Sequence, residues 1–304
     1  MTHRNQSGYV RKKFAITLIT DGSSQMRTIG VTGASGQLGS MVAENLMRKA
    51  TPAHIVLTSR ALTPLLQGFA DRGASVRLAD FSDRSTLVAA FDGIEDLLII
   101  STDRVGDRLD GHLRAIGAAR RAGVRRIVYT SVPQPISENP ALVVPDHRAT
   151  EEALEASGLE WAVLRNNLYA DLQRTVIERA AATGRLISNS GAGAAAYVTR
   201  GDCAAVAASA LTTRRDARGS YDVTGPEAVS AHGLAALAGD TVEVVDVDDA
   251  VFLDELTKAG MPDHVAALLT SFGAAIRGGY LATVTEVVEN WTHRPPTPLS
   301  AVVQ

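Results

Sequence analysis

The chain is predicted to be an α/β protein, a doubly wound parallel sheet with a smaller interleaved α/β lobe. Three observations predict it. A strand-like run, Thr28-Ile29-Gly30-Val31, leads into Thr32-Gly33-Ala34-Ser35-Gly36-Gln37-Leu38-Gly39, and a helical pattern follows from Gln37 to Lys49. Short runs rich in Val, Ile and Leu then alternate with helical stretches as far as Arg165. Those runs are apolar throughout, as strands buried on both faces of a parallel sheet are. Repeated βα units of this kind imply the strand order 3-2-1-4-5-6.

Taken in order, the first unit carries three glycines with separate mechanical tasks. Gly33 permits a tight turn, Gly36 lets a phosphate approach the backbone, and Gly39 lets the helix lie close on the strand. The unpaired N–H groups and positive dipole end of the helix complete an anion receptor that suits a dinucleotide's pyrophosphate. Gly33, Ala34, Ser35, Gly36, Gln37 and Leu38 are therefore read as cofactor-binding. A glycine triplet alone is a weak signal; the βα units around it give it weight.

The second strand is expected at His54–Thr58. Thr63-Pro64 then caps and opens a helix that Gly73 stops. Ser75–Ala79 is the third strand, and Ser82 opens a helix ending at Gly93. Asp96–Ser101 is the fourth, followed by a long helical segment from about Asp107 to Gly123. Arg126–Ser131, a helix from Asp146 to Ser157 closed by Gly158, and Trp161–Arg165 complete the series.

Beyond Arg165 the pattern loosens. A helix around Leu172–Thr183, a connection at Gly191-Ala192-Gly193 and a strand at Tyr221–Thr224 are followed by segments near Thr241–Val247 and Ala250–Ala259. The expected division is a dinucleotide-binding domain over 26–166, with 199–225 returning to it. A lobe from 167–198 and 226–304 then shapes the substrate cleft.

Composition excludes several classes. With 30 basic and 33 acidic residues the net charge is −3, which indicates no basic face and argues against nucleic acid as a partner. The single cysteine, Cys203, rules out an internal disulfide and any multi-cysteine metal site, and reads as a small buried apolar residue. No run approaches the roughly 18 apolar residues of a membrane helix. A cytoplasmic protein, monomer or homodimer, is expected. Residues 1–25 carry Arg4, Arg11, Lys12 and Lys13 and no acid before Asp21. They read as an extension ahead of a folded unit opening at Met26, with a basic targeting arm as the other reading.

The end of the second strand distinguishes the nicotinamide cofactors. NADH-preferring folds usually place Asp or Glu there to bind the ribose 2′-hydroxyl. Here the chain reads Leu57-Thr58-Ser59-Arg60, with no acid. An arginine can grip a 2′-phosphate through two charge-assisted bonds, so Arg60 points to NADPH; the alternative is a solvated arginine opening the next helix. Asp80-Phe81 ends the third strand, where side chains flank an adenine, although Phe81 reads equally as core. Ser101 and Thr102 follow the fourth strand, in the crevice outside the carboxyl ends where ligands lie, and serve equally as turn formers.

Ser131 closes the fifth strand. In short-chain dehydrogenases a serine stands there and a Tyr-x3-Lys pair follows on the next helix, the tyrosine giving a proton and the lysine holding the ribose. In this chain His147, in His147-Arg148-Ala149-Thr150-Glu151, takes the lysine's place and Val143 the tyrosine's. The usual proton donor is missing. His147 and Glu151 have zinc-pair spacing but no third ligand, so His147 is read as a ribose contact or as half of a surface pair, and no metal is expected.

From Arg27 to the Pro295-Pro296-Thr297-Pro298-Leu299 tail, the chain resembles the NmrA-like group of atypical short-chain dehydrogenases. Within it, the similarity is to the type 2 NAD(P)H:quinone oxidoreductases and triphenylmethane reductases. Besides the glycine motif, Ala122-Gly123-Val124, Tyr129-Thr130-Ser131, His147-x3-Glu151, Leu164-Arg165-Asn166-Asn167-Leu168-Tyr169 and Val198-Thr199-Arg200 carry the resemblance. It departs at Trp291-Thr292-His293-Arg294, where relatives tend to have a glycine, and near Gly239, where the chain is shorter. The resemblance implies the Rossmann-type fold, NADPH as cofactor with Arg165 among its contacts, and reduction of quinones or extended dye-like acceptors.

That chemistry suits the missing tyrosine. A simple ketone develops a localised alkoxide that needs a proton, whereas a quinone or triarylmethyl cation spreads the incoming charge. Positioning then matters most. Asn166 or Asn167 is placed to orient the nicotinamide amide or polarise a quinone oxygen, or else caps a turn. Tyr169 and Tyr197 are placed to stack on the acceptor, or else simply pack. With Ser131 these make the candidate catalytic set of Asn166, Asn167, Tyr169 and Ser131. Two other functions stay open. One is a redox sensor that binds the dinucleotide without turnover, as NmrA does. The other is a carbonyl or imine reductase with Tyr129 or Tyr169 as acid.

Overall fold

The computed structural model describes residues 27–102, 108–213 and 218–303. The expectations for residues 1–25, Met26 and Asp107 lie outside these. The first six strands are β1 (Ile29–Val31), β2 (Ile55–Ser59), β3 (Ser75–Leu78), β4 (Asp96–Ile99), β5 (Arg126–Ser131) and β6 (Glu160–Asn166). After them come β7 (Arg185–Ser188), β8 (Ala194–Ala195), β9 (Arg218–Val223), β10 (Val229–Ser230) and β11 (Glu243–Asp246). The main sheet runs β3-β2-β1-β4-β5-β6-β9 with every pair parallel. The expected order is extended by β9 at the edge. Two small sheets, β10-β8 antiparallel and β11-β7 parallel, belong to the smaller lobe.

The helices are α1 (Gln37–Lys49), α2 (Pro64–Asp71), α3 (Arg84–Phe91), α4 (Leu109–Arg121), α5 (Val144–Ala156) and α6 (Gln173–Thr183). Then follow α7 (Arg200–Thr212), α8 (Ala231–Ala238), α9 (Asp249–Lys258), α10 (Asp263–Arg277) and α11 (Val287–Thr292). Several boundaries differ from the sequence reading, most by one or two residues, and three of them bear on the site. Asp83, not Ser82, caps α3 through its side chain, because its carboxylate accepts the Ser85 N–H. Helix α5 starts at Val144, with Pro145 in its first turn where a missing N–H costs nothing. Strand β4 ends at Ile99, leaving Ser101 in the crevice turn.

Two cores sandwich the sheet. On one face Val42 and Leu46 of α1, Leu66 of α2, Val206 and Leu211 of α7 and Trp291 of α11 meet Val31, Leu57, Leu98, Val128 and Leu164. On the other, Leu87 and Phe91 of α3, Ala115 and Ile116 of α4 and Leu154 of α5 meet Ile99, Ile127, Tyr129 and Val163. Each fully buried Leu or Val stabilises the sandwich by roughly 2 kcal/mol. A third core, around Ile177, Leu186, Tyr197, Leu234 and Ile276, builds the smaller lobe. Tyr197 is thus packing and not an acceptor platform; burial pushes its phenol up to about 12. At the tail, His293 takes φ +58°, the left-handed conformation that favours glycine.

Candidate cofactor and active site

The glycine turn stands at the carboxyl end of β1. The Thr32 N–H donates to the Leu98 carbonyl and the Ala34 N–H to that of Thr58, each at 3.0 Å, which pins the turn between β4 and β2. Gly33 has φ +61°. A Cβ on Gly39 would collide with the Gly33 carbonyl oxygen and stand 2.8 Å from its carbon and 2.9 Å from the Ala34 Cα. The helix therefore meets the turn backbone to backbone. Helix α1 has no side-chain cap and no acid in its first turn, so no side chain competes for its leading N–H groups. Ala34 and Leu38 bury their side chains in the core, while Ser35, Gly36 and Gln37 are exposed at the edge. These residues fit a pyrophosphate.

Next to the turn, the Ser35 and Ser59 hydroxyls meet at 2.8 Å. Arg60 is exposed and makes no ion pair among the described residues. The Asp80 carboxylate folds back instead, accepting the Ser82 N–H at 2.8 Å and its hydroxyl at 2.7 Å, so one of its oxygens serves a local turn. Phe81 is half-buried, edge-on to His112 at 6.3 Å between ring centres, and is partly core. After β4, the Ser101 N–H donates to the Thr130 hydroxyl at 2.9 Å and the Thr102 N–H to His112 Nε2 at 3.3 Å.

Three expectations on the α5 face are corrected. Ser131 Oγ donates to Glu151 Oε1 at 2.6 Å, and Arg165 clasps the same carboxylate with Nε at 3.2 Å and Nη2 at 2.6 Å. The Arg165 guanidinium is therefore engaged inside the protein, and Ser131 points at Glu151. Burial pushes the neighbouring Asp222 carboxyl up, against the pull of Arg165. His147 does not pair with Glu151, and it is not on the surface. It is buried, with Nε2 3.0 Å from Arg108 Nη1 and Nδ1 2.8 Å from the Tyr129 hydroxyl, which leaves neither nitrogen for a ribose. Among the described residues no group of three metal-ligating side chains occurs.

At the end of β6 the two asparagines separate. Asn167 is structural: Nδ2 donates to the Leu281 carbonyl at 3.0 Å and Oδ1 accepts the Leu168 N–H at 2.8 Å, tying the sheet to the smaller lobe. Asn166 is different. Its Oδ1 is buried and accepts no hydrogen bond, with Tyr169 beside it. Tyr169 is half-buried, bridges to Val198, and has the Arg200 guanidinium 4.5 Å above its ring, so one ring face is covered. Burial raises its phenol well above 10. A groove of about 530 Å³ lies apart, in the smaller lobe between Asn189, Asp246, Asp249 and Arg277, where Asp249 is already paired to Arg277 through two 3.0 Å bonds.

Residues 33–214 match the family model described as NAD(P)H-binding, a span that includes the glycine turn just described. The chain belongs to the NAD(P)H-binding family. Quinone oxidoreductase 2 of Escherichia coli K12 is 33% identical over 279 residues, covering 90% of this chain and 97% of its own length. The NAD(P)H azoreductase of Xenophilus azovorans is 26% identical, covering 87% and 93%. The crystal structure of an E. coli NADPH-dependent quinone oxidoreductase with NADPH superposes with a TM-score of 0.86 at 33% identity, over 90% of this chain and 98% of that one. That of Citrobacter triphenylmethane reductase with NADP(H) does so at 0.84 and 28%, with the same coverage. The protein is an NAD(P)H-dependent reductase. Sequence reasoning missed Arg108, His112 and Arg200; the one available signal was two histidines, His112 and His147, each on a helix flanking the same strand.

Proposed function

We propose that this reductase uses NADPH to reduce quinones or comparably extended aromatic acceptors. NADPH would be held by the Gly33–Leu38 turn and by Arg60 with the Ser35–Ser59 hydroxyl pair at its 2′-phosphate; when bound, it supplies a hydride. The observation that carries the acceptor class concerns Tyr129. This tyrosine is fully buried and its hydroxyl is bonded to His147, while burial holds its proton more tightly than in water. It is no proton donor to a substrate. Tyr169, also raised by burial and shielded by Arg200, is a poor one. Without a poised acid, an acceptor that delocalises the incoming charge is favoured over a ketone that localises it. Asn166 offers a buried, unbonded amide oxygen at the end of β6 to orient one partner of the reaction.

The test is absorbance of NADPH against benzoquinones, naphthoquinones, cationic triarylmethane dyes and simple aryl ketones. Turnover is expected with the first three and not with the ketones. Faster reduction of ketones than of any quinone would overturn the reading.

A further inference from the structure

A buried polar network occupies the place where related folds hold their Tyr-x3-Lys pair, and the function above uses it only to exclude Tyr129 as a proton donor. It joins four elements at the carboxyl edge: the turn after β4 (Thr102), the start of α4 (Arg108, His112), β5 (Tyr129) and α5 (Asp146, His147, Thr150). All the side chains from Arg108 to Thr150 are buried.

The proton positions follow from which atoms can only donate. A guanidinium has no acceptor, so Arg108 Nη1, 3.0 Å from His147 Nε2, requires a lone pair on that nitrogen. The single proton of neutral His147 is then on Nδ1 and points at the Tyr129 oxygen, 2.8 Å away. The Thr102 backbone N–H, 3.3 Å from His112 Nε2, imposes the same choice there. His112 therefore carries its proton on Nδ1, directed at Thr150 Oγ1 at 3.0 Å. Thr150 passes its own hydroxyl proton to the Asp146 carbonyl at 2.7 Å, and the Tyr129 hydroxyl, hydrogen-bonded with Thr150, also stands 3.4 Å from His112 Nδ1. The four ring nitrogens are matched to their neighbours only while both rings are neutral. A second proton on either ring sets one N–H against another.

We infer that His112 and His147 are positioning residues, locked as neutral Nδ1–H tautomers, which hold the Ser101–Thr102 turn against the dinucleotide crevice and make NADPH affinity fall on acidification. This rests on the cofactor site proposed above. The charged neighbours agree in direction. Arg108, at the start of α4, faces both rings and disfavours added positive charge, and His112 adds to that at His147; Asp146 of α5 stands 3.7 Å from Arg108 Nε. Glu151 of α5 acts on Tyr129 and is itself neutralised by Arg165. Burial adds to the same effect, holding His112 down at about 4 and His147 well below 6.5.

The experiment reads the rings directly. In protein labelled with 15N-histidine, seven side chains are visible in two-dimensional spectra, and the nitrogen shifts report which atom carries hydrogen. Two rings are expected as Nδ1–H tautomers that do not titrate between pH 7.5 and 5.5. In parallel, His112→Leu leaves the Thr102 N–H unpaired and is expected to raise KM for NADPH roughly tenfold with a much smaller change in kcat. His112→Gln, whose amide oxygen can accept that N–H, should recover most of the loss and flatten the acid rise in KM expected of the unmodified protein. Two buried rings found as Nε2–H, or titrating near 6.5 beside normal NADPH binding, overturn the proposal alone. Failure of the unmodified protein to bind NADPH at any pH overturns the cofactor site first and removes the proposal with it.

Discussion

Replacing Gly39 by alanine tests the cradle on which cofactor binding depends. Two opposing effects set the outcome. Alanine is the better helix former by about 1 kcal/mol, which favours the variant. Against this, the new methyl would stand 2.8 Å from the Gly33 carbonyl carbon, where ordinary contact begins at 3.4 Å, and closer still to the carbonyl oxygen, so α1 and the turn must part by more than about 0.6 Å. The obstacle is backbone, pinned on both sides by the hydrogen bonds of Thr32 and Ala34, and it has no rotamer to yield. Overpacking of this kind costs typically 1–3 kcal/mol. The strain wins, and it falls on the N–H groups that would receive the pyrophosphate. Calorimetric titration should show Kd rising about fivefold to a hundredfold, equally for NADPH and NADH, because both carry the pyrophosphate. Unaltered affinity for either cofactor, in a variant that melts normally, would refute the reasoning.

Other expectations separate the remaining roles. Arg60→Ala should raise KM for NADPH by roughly tenfold or more and leave that for NADH nearly unchanged, since only the former has a 2′-phosphate to lose a charge-assisted bond; equal effects would remove Arg60 from that site. Acidification should destabilise the fold through His112. Its folded-state value lies below that of the unfolded chain, so stability present above pH 6.5 is lost as pH falls toward 4, by on the order of 3 kcal/mol; melting curves of the protein and of His112→Gln should diverge over that window. Asp202→Asn should loosen the tail. Asp202 is fully buried, accepts the Thr199 hydroxyl and the Thr297 N–H at 2.8 Å each, and pairs with half-exposed Arg294 at 2.6 Å. A loss of about 2 kcal/mol and faster proteolysis near Pro295 are expected, discounted for the exposure of Arg294.

The elements hardest to read in the sequence are those whose surroundings erase periodicity. Helix α7 was not anticipated as a helix. Its stretch Asp202–Leu211 is buried on every side between α1, α11 and the sheet, so it shows no amphipathic stripe. Strand β9, read as Tyr221–Thr224, begins at Arg218 because an edge strand keeps polar residues such as Ser220 and Asp222. At the site, Arg165 is expected at the cofactor from the family resemblance, and His147 is read as a ribose contact or as half of a surface pair. In the structure both are consumed by buried partners, Glu151 and Arg108, that lie 14 and 39 residues away.

Local chemistry written in consecutive residues therefore determined the βα alternation, the glycine turn and the cap at Thr63, and it supplied Arg60 as the proposed 2′-phosphate partner. Those depend on backbone geometry and neighbours within a few positions, which one sequence displays. Which polar groups remain available to a ligand was decided only by tertiary structure. A hydrogen-bonding atom is free or spent according to what the fold brings within 3 Å of it: for Ser131, His147 and Arg165 those partners come from other strands and helices, for Asn167 Nδ2 from Leu281, and for Asn166 Oδ1 the fold brings none.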